Sequence, residues 1–150
     1  MWYLLMAFSA GTGMAMQAAI NSQLGKALLG QPIFAALWSF ASGTCLLLAL
    51  SFWLAKGNWW QTVSLIPTQP WWLLVGGVLG SGLVFSSIFL APKLGIANML
   101  FFMILGQIIF GVIIDQFGLF HMPVREISIN KIIGLVIMLI GLFIFFFAKK

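Results

Sequence analysis

The sequence predicts an all-α membrane protein that crosses the bilayer five times. Of its 150 residues, 63% are hydrophobic and only 6% are charged. A soluble domain carries about 25% charged residues, so water is not the solvent for most of this surface. The apolar residues fall into five blocks, each near the roughly 20 residues that a spanning helix needs. The polar connectors are short, which leaves no room for a separate catalytic domain. One transmembrane domain over residues 1–150 is expected.

The first block covers residues 2–24. Its start, MWYLLMAFSAGTGMAMQ, lacks the basic stretch that precedes the apolar core of a secretory signal. It therefore reads as a retained helix. The second block, 32–55, opens on Pro32, a residue suited to a first helical turn. The third covers 70–91, and Pro92, Lys93, Leu94 and Gly95 make a short break after it. The fourth covers 95–115, and the fifth runs over 130–148 to Lys149 and Lys150. Two connectors are longer. In KGNWWQTVSLIPTQP, Trp59 and Trp60 are expected at the headgroup level, as are Trp71 and Trp72 just beyond it. The other, QFGLFHMPVREISIN, holds His121, Arg125 and Glu126.

These residues exclude several chemistries. His121 has no second ligand nearby, so it reads as solvated surface, and no metal or other cofactor is expected. Cys45 is the single cysteine, so no intrachain disulfide can form, and it reads as a small buried hydrophobe. The net charge of +5 comes from basic residues scattered singly between apolar blocks. A nucleic-acid reader would cluster them on one face; here they mark loop ends at the membrane. No catalytic constellation, phosphate loop or ATP-binding domain is present. The chain is read as neither an enzyme nor a primary pump.

Small residues recur at helix-contact spacing. Gly76 and Gly80 form a G-x-x-x-G, Gly134 and Gly141 are seven apart, and Ala7, Gly11, Ala15 and Ala19 repeat every four. Such stripes let helix backbones approach closely in lipid. Gly11, Gly76, Gly80, Gly106, Gly134 and Gly141 are the candidates for helix packing, with contacts inside one bundle as the ordinary reading.

Five crossings put the termini on opposite sides. The N-terminal side then holds three basic residues, Lys56, Arg125 and Lys131, and the other holds four, Lys26, Lys93, Lys149 and Lys150. Orientation follows an excess of Lys and Arg on one side, and a difference of one scarcely orients anything. Two copies inserted in opposite senses would make an inverted pair, a common construction of secondary transporters. The expected assembly is an antiparallel homodimer in the lipid bilayer, each chain being half of an inverted-topology ten-helix transporter.

Residues four apart share a helix face. Ser9, Gly13, Gln17 and Asn21 therefore form one stripe of the first block, roughly opposite the Ala7–Gly11–Ala15–Ala19 stripe. Amides facing lipid would be unsatisfied, so they should face the bundle interior or a wet cavity. The fourth block carries Asn98, Gln107 and Asp115. At about 1.5 Å of rise per residue, Gln17 lies about 6 Å beyond the middle of its block and Gln107 about 4 Å from the middle of its own. In an inverted pair, Gln17 of one copy and Gln107 of the other reach similar depth. The candidate substrate-binding residues are Gln17, Asn21, Asn98 and Gln107, with Trp38 as an aromatic wall; interhelical bonding is the alternative role for each amide. Asp115, at a helix end, is a candidate for an ion pair with the partner's Lys26, Lys93 or C-terminal lysines.

Several runs appear in order along the chain: QAAINSQLGK, SFASGT, GGVLGSG, APKLG, GQIIFGVIIDQFGLF and KIIGLVIMLIG. Together they resemble the YdcZ-type bacterial inner-membrane family, a branch of the drug/metabolite transporter (EamA-like) superfamily. The resemblance implies a five-helix unit found as dual-topology homodimers, as paired opposite proteins or as fused ten-helix chains. It implies movement of a small metabolite or drug across the inner membrane. It also singles out Gln17, Asn21, Gly25, Gly43, Gly106, Gln107, Asp115 and Gly118. The small multidrug exporters of that superfamily use a glutamate deep in their first helix for proton coupling. Here that helix holds only neutral Gln17 and Asn21, which speaks against coupling through a central carboxylate. Two other readings stay open: a non-transporting membrane interaction subunit, and half of a heterodimeric transporter that needs a sister chain.

Overall fold

The computed structural model describes residues 1–55 and 57–147. Lys56, Lys149 and Lys150 of the charge count, and the expected helix end at Ala148, lie outside the described residues. The described residues form helices and turns, with no strand. Five helical stretches are long and apolar enough to cross a membrane: Trp2–Ala27, Pro32–Leu54, Trp71–Leu94, Ile96–Phe117 and Ile129–Phe147. The shortest of them, 19 residues, is about 28 Å long by helical rise, close to the hydrocarbon thickness of about 30 Å. The chain divides into two compact units, Met1–Lys93 and Leu94–Lys150.

In the first unit, α1 (Trp2–Ala27) contains no proline and ends with Lys26 in its last turn. A cation there complements the negative end of the helix dipole. The chain then reverses within a few residues. Leu29 and Gly30 both take positive φ, 55° and 75°, and the Gln31 N–H donates to the Leu28 carbonyl at 3.0 Å. Pro32 opens α2 (Pro32–Leu54) at its first position, where its missing N–H costs nothing. The result is a helical hairpin. Beyond α2, Trp59 of α3 (Trp59–Ser64) folds back on it: its ring stacks on Phe52 at 4.2 Å and its Nε1–H donates to Ser51 Oγ at 2.9 Å. Trp60 stays exposed, in keeping with an aromatic at the membrane surface.

The third span is built from α4 (Trp71–Leu74) and α5 (Gly76–Leu94). The break expected over Pro92, Lys93, Leu94 and Gly95 shrinks to Gly95 alone. Pro92 lies inside α5. Only Gly95, at φ 79°, leaves the helix, because that conformation is open to glycine and strained for side-chain-bearing residues. α1, α2 and α5 meet around Ala35, Ala36, Val84 and Ile88, with Leu24 and Leu83 packed against them. Gly25 sits in this contact: a Cβ there would lie 3.2 Å from Ile88 Cγ2 and 3.8 Å from Ala35 Cβ. In lipid such close approach replaces the hydrophobic effect as the source of helix cohesion.

In the second unit, α6 (Ile96–Phe117) ends at Gly118 in the left-handed conformation, φ 61°. The connector then folds back over the helix end. The Arg125 N–H donates to the Asp115 carbonyl at 2.8 Å, and the Ile127 N–H donates to Gln116 Oε1 at 2.8 Å. α7 (Ile129–Phe147) joins α6 through two ring contacts, Phe101 with Phe145 at 4.7 Å and Phe102 with Phe146 at 5.4 Å.

Two substitutions test this packing. A Cβ at Gly118 would lie 2.8 Å from Val124 Cγ2 and 3.1 Å from the Met122 carbonyl oxygen. Gly118→Ala combines that clash with left-handed strain of about 1–2 kcal/mol, and should lower the melting temperature in detergent. Adding Val124→Ala should recover only the part due to Val124 Cγ2, since the Met122 carbonyl stays in place. Gly25→Leu overfills the three-helix contact and should cost about 1–3 kcal/mol, read by the same melts.

Candidate functional site

Hydroxyls on spanning helices here mostly bond their own backbone. Ser9 Oγ donates to the Leu5 carbonyl and Thr12 Oγ1 to that of Ser9. Of the Ser9–Gly13–Gln17–Asn21 stripe, only the two amides reach a neighbouring helix, and they converge on one atom. Gln17 Nε2 donates to Ser39 Oγ at 3.3 Å and Asn21 Nδ2 donates to it at 3.0 Å. Ser39 lies on α2, so the pair ties the hairpin together. Ser39 was not among the residues expected from sequence.

The environment of this knot is graded. Asn21 is 5% exposed, Ser39 half-buried and Gln17 exposed. With its two lone pairs occupied, the Ser39 hydroxyl keeps its proton to donate. Asn21 Oδ1 receives no protein donor, yet no described buried side-chain oxygen lacks a partner. That oxygen therefore retains accessible surface. The knot offers two carbonyl acceptors and one hydroxyl donor, the equipment for orienting a neutral or cationic polar group.

Trp38 precedes Ser39 and is 68% exposed. It forms part of an open apolar groove of about 910 Å³ bounded by Leu24, Leu28, Phe34 and Leu37. Gln17 and Asn21 lie one to two turns before Leu24 on α1. An apolar slot thus ends near a hydrogen-bonding knot, the usual composition of a small-molecule site.

The second unit holds the other candidates. Asn98 is half-buried and its Nδ2 donates to the Leu94 carbonyl at 2.9 Å, bracing the corner at Gly95. Gln107 is exposed on α6 and makes no hydrogen bond among the described residues. Measured along the observed helices, Gln17 lies about 4 Å and Gln107 about 1 Å from the middle of its own. Asp115 is half-buried, and its backbone carbonyl accepts the Arg125 N–H.

Other expectations change. Cys45 is exposed rather than buried, as are all of its neighbours from Thr44 to Leu50 on α2, which no described residue covers. Packing inside the chain is found at only one of the six candidate glycines: a Cβ at Gly80 would meet Phe40 Cζ at 3.7 Å. At Gly11, Gly76, Gly106, Gly134 and Gly141 a Cβ would meet nothing within 4 Å among the described residues. No group of three His, Cys, Asp or Glu residues that could hold a metal occurs among the described residues.

Comparison with known proteins fits this architecture. Residues 2–144 match the family described as "Putative inner membrane exporter, YdcZ". A curated relative, the inner membrane protein YdcZ of Escherichia coli (strain K12), is 31% identical over 77 residues, covering 51% of this chain and 51% of the relative. The matched segment thus spans about half the length of that relative. No solved structure matches. Five apolar spans together with a family match over almost the whole chain place it as a multi-pass protein of the inner membrane, and it belongs to the YdcZ inner-membrane family.

Proposed function

We propose that this chain is one half of a ten-helix exporter of small metabolites or drugs. Two copies inserted in opposite senses would enclose a polar path lined by Gln17, Asn21, Trp38, Asn98 and Gln107. The observation that carries this reading is Gln107. An exposed carboxamide without a hydrogen-bond partner among the described residues sits at the middle of a spanning helix. Hydrocarbon offers it no hydrogen bond, and burying an unbonded amide costs about 2–7 kcal/mol. A second copy or a wet path removes that cost.

Two features support the pairing. The glycines at 11, 76, 106, 134 and 141 have open space beside them, so their faces are free for a second copy. The basic residues divide three to four between the two sides expected from the sequence, which leaves orientation nearly unbiased. In the pair, Asp115 of one copy would meet a lysine of the other and help set the register. Transport would follow from rocking one bundle against the other around the polar path.

One observation favours a second reading. The bonds from Gln17 and Asn21 to Ser39 already use those amides as links inside the hairpin. In a non-transporting interaction subunit that would be their whole role. A heteromeric transporter with a sister chain is the other variant.

Reporter tags at the C-terminus should reveal both orientations in cells. A single orientation would rule out the homodimer. Gln107→Leu should lower flux in vesicles more than about tenfold while shifting stability by less than about 0.5 kcal/mol, as expected of a site without internal partners. Ser39→Ala leaves two amides without their acceptor and should cost about 1–3 kcal/mol in melts. If Gln107→Leu alters assembly and no solute in a metabolite panel ever moves, the subunit reading replaces this one.

A further inference from the structure

A second pocket, of about 240 Å³, lies at the turn end of the hairpin, beside α5. It is formed by the last turns of α1 and α5 and the start of α2. Lys26, Lys93, Ser22, Gly30 and Phe89 are among the residues lining it. We propose that this pocket binds a phosphate group, carried by a lipid headgroup or by a soluble phosphate ester.

Three observations converge on an anion. The first is charge. Both carboxylates of the chain, Asp115 and Glu126, lie outside the first unit. No carboxylate side chain within that unit can neutralise Lys26 and Lys93, so within the first unit the pocket's two cations are uncompensated. The second is positioning. Lys93 Nζ sits 3.5 Å over the centre of the Phe89 ring. A cation–π contact holds the ammonium by its charge and leaves N–H donors to point elsewhere.

The third is Ser22. It is 8% exposed, and its hydroxyl makes no hydrogen bond among the described residues. No described buried side-chain oxygen is both sealed and unpartnered, so Ser22 Oγ keeps accessible surface where it lines the pocket. It departs from Ser9, Ser42, Ser51, Ser81 and Ser87, which all bond their own helix. A nearly buried hydroxyl left free in the same pocket as two lysines is an unfilled donor set.

Phosphate suits this set. Its oxygens accept several donors at once, and Lys binds it as a point charge. Gly30 has open space where a side chain would stand, so a ligand can reach the backbone. The pocket is at the ends of spanning helices, where lipid phosphates lie and where each nearby Lys adds to the attraction for anionic headgroups. This inference does not depend on the antiparallel pair. It does compete with one part of it, since a partner's Asp115 could seek the same lysines.

The test uses the full chain purified in detergent and placed in phosphatidylcholine nanodiscs with a rising fraction of phosphatidylglycerol. Lipid retained after washing is counted by native mass spectrometry. The intact chain should hold phosphatidylglycerol in preference to phosphatidylcholine. Lys26→Gln/Lys93→Gln should weaken that retention at least about tenfold, and Ser22→Ala should weaken it by a smaller factor, as for the loss of charged and neutral donors. Lys131→Gln removes a charge elsewhere and should change nothing. A second arm titrates glycerol 3-phosphate and inorganic phosphate into lipid-free detergent and follows melting. Stabilisation there, lost in the double variant, supports the pocket and names a soluble ester as its source; lipid retention without it names the headgroup. Equal binding by the double variant in both arms overturns the proposal. So does an equal loss in Lys131→Gln, which would mean diffuse charge, or retention that arises only when Asp115→Asn removes a partner's carboxylate, which would mean that carboxylate is the occupant.

Discussion

A spanning helix has no water along its middle, so each polar group there must find a partner in the protein or face a wet space. That constraint sorts the polar side chains of this chain into classes. Short hydroxyls can reach back one turn, and Ser9, Thr12, Ser42, Ser51, Ser81 and Ser87 do so. Asn98 does the same with its amide nitrogen. Gln17 and Asn21 bond across to α2 instead. Gln107 and Ser22 make no hydrogen bond among the described residues, and neither do Gln23, Thr44 and Ser86; of these, Gln107 lies at the middle of its span and Ser22 lines a pocket.

The same constraint explains the manner of packing. Lipid tails are as apolar as leucine, so apolar burial gives helices little reason to associate. Contact must come from close backbone approach and from bonds such as those to Ser39. The buried centre of the first unit is accordingly small: Ala35 and Ala36 cluster with Val84 and Ile88, and Gly25 lies against Ile88 and Ala35. The large apolar side chains, Trp2, Phe34, Leu47 and Trp53 among them, point outward. In water that arrangement would aggregate; in a bilayer it is the solvated surface.

Much of this was legible beforehand. Apolar block length and proline position located all five spans within a few residues, because length and hydropathy are what the bilayer selects. The break after the third span was drawn too wide, since a proline in a last turn reads as a stop when only its missing N–H is considered. Gly95 alone makes the corner. Ser39 was missed although hairpin geometry points to it: reflecting Asn21 through the short turn at 28–31 lands beside residues 38 and 39. Ser22 was not legible at all. A serine in a spanning helix ordinarily bonds its own carbonyl, and nothing in the sequence says which ones, Ser22 among them, do not. The glycine stripes were legible as close-approach surfaces, but a stripe does not state whether its partner belongs to the same chain.

The amides and glycines therefore carry different duties in the proposed pair. An interhelical hydrogen bond in a membrane contributes about 0.6 kcal/mol on average, too little for a few amides to hold two bundles together. Leaving an amide unbonded in hydrocarbon costs several times more. Amides of this kind penalise wrong registers more than they reward the right one. Attraction has to come from contact area, and the open faces at Gly11, Gly76, Gly106, Gly134 and Gly141 allow backbones to approach without displaced side chains. A rocking mechanism needs this division. Contacts made by small residues can slide at low cost, while a polar centre that must stay satisfied in every position limits motion to arrangements that keep Gln107 solvated or bonded.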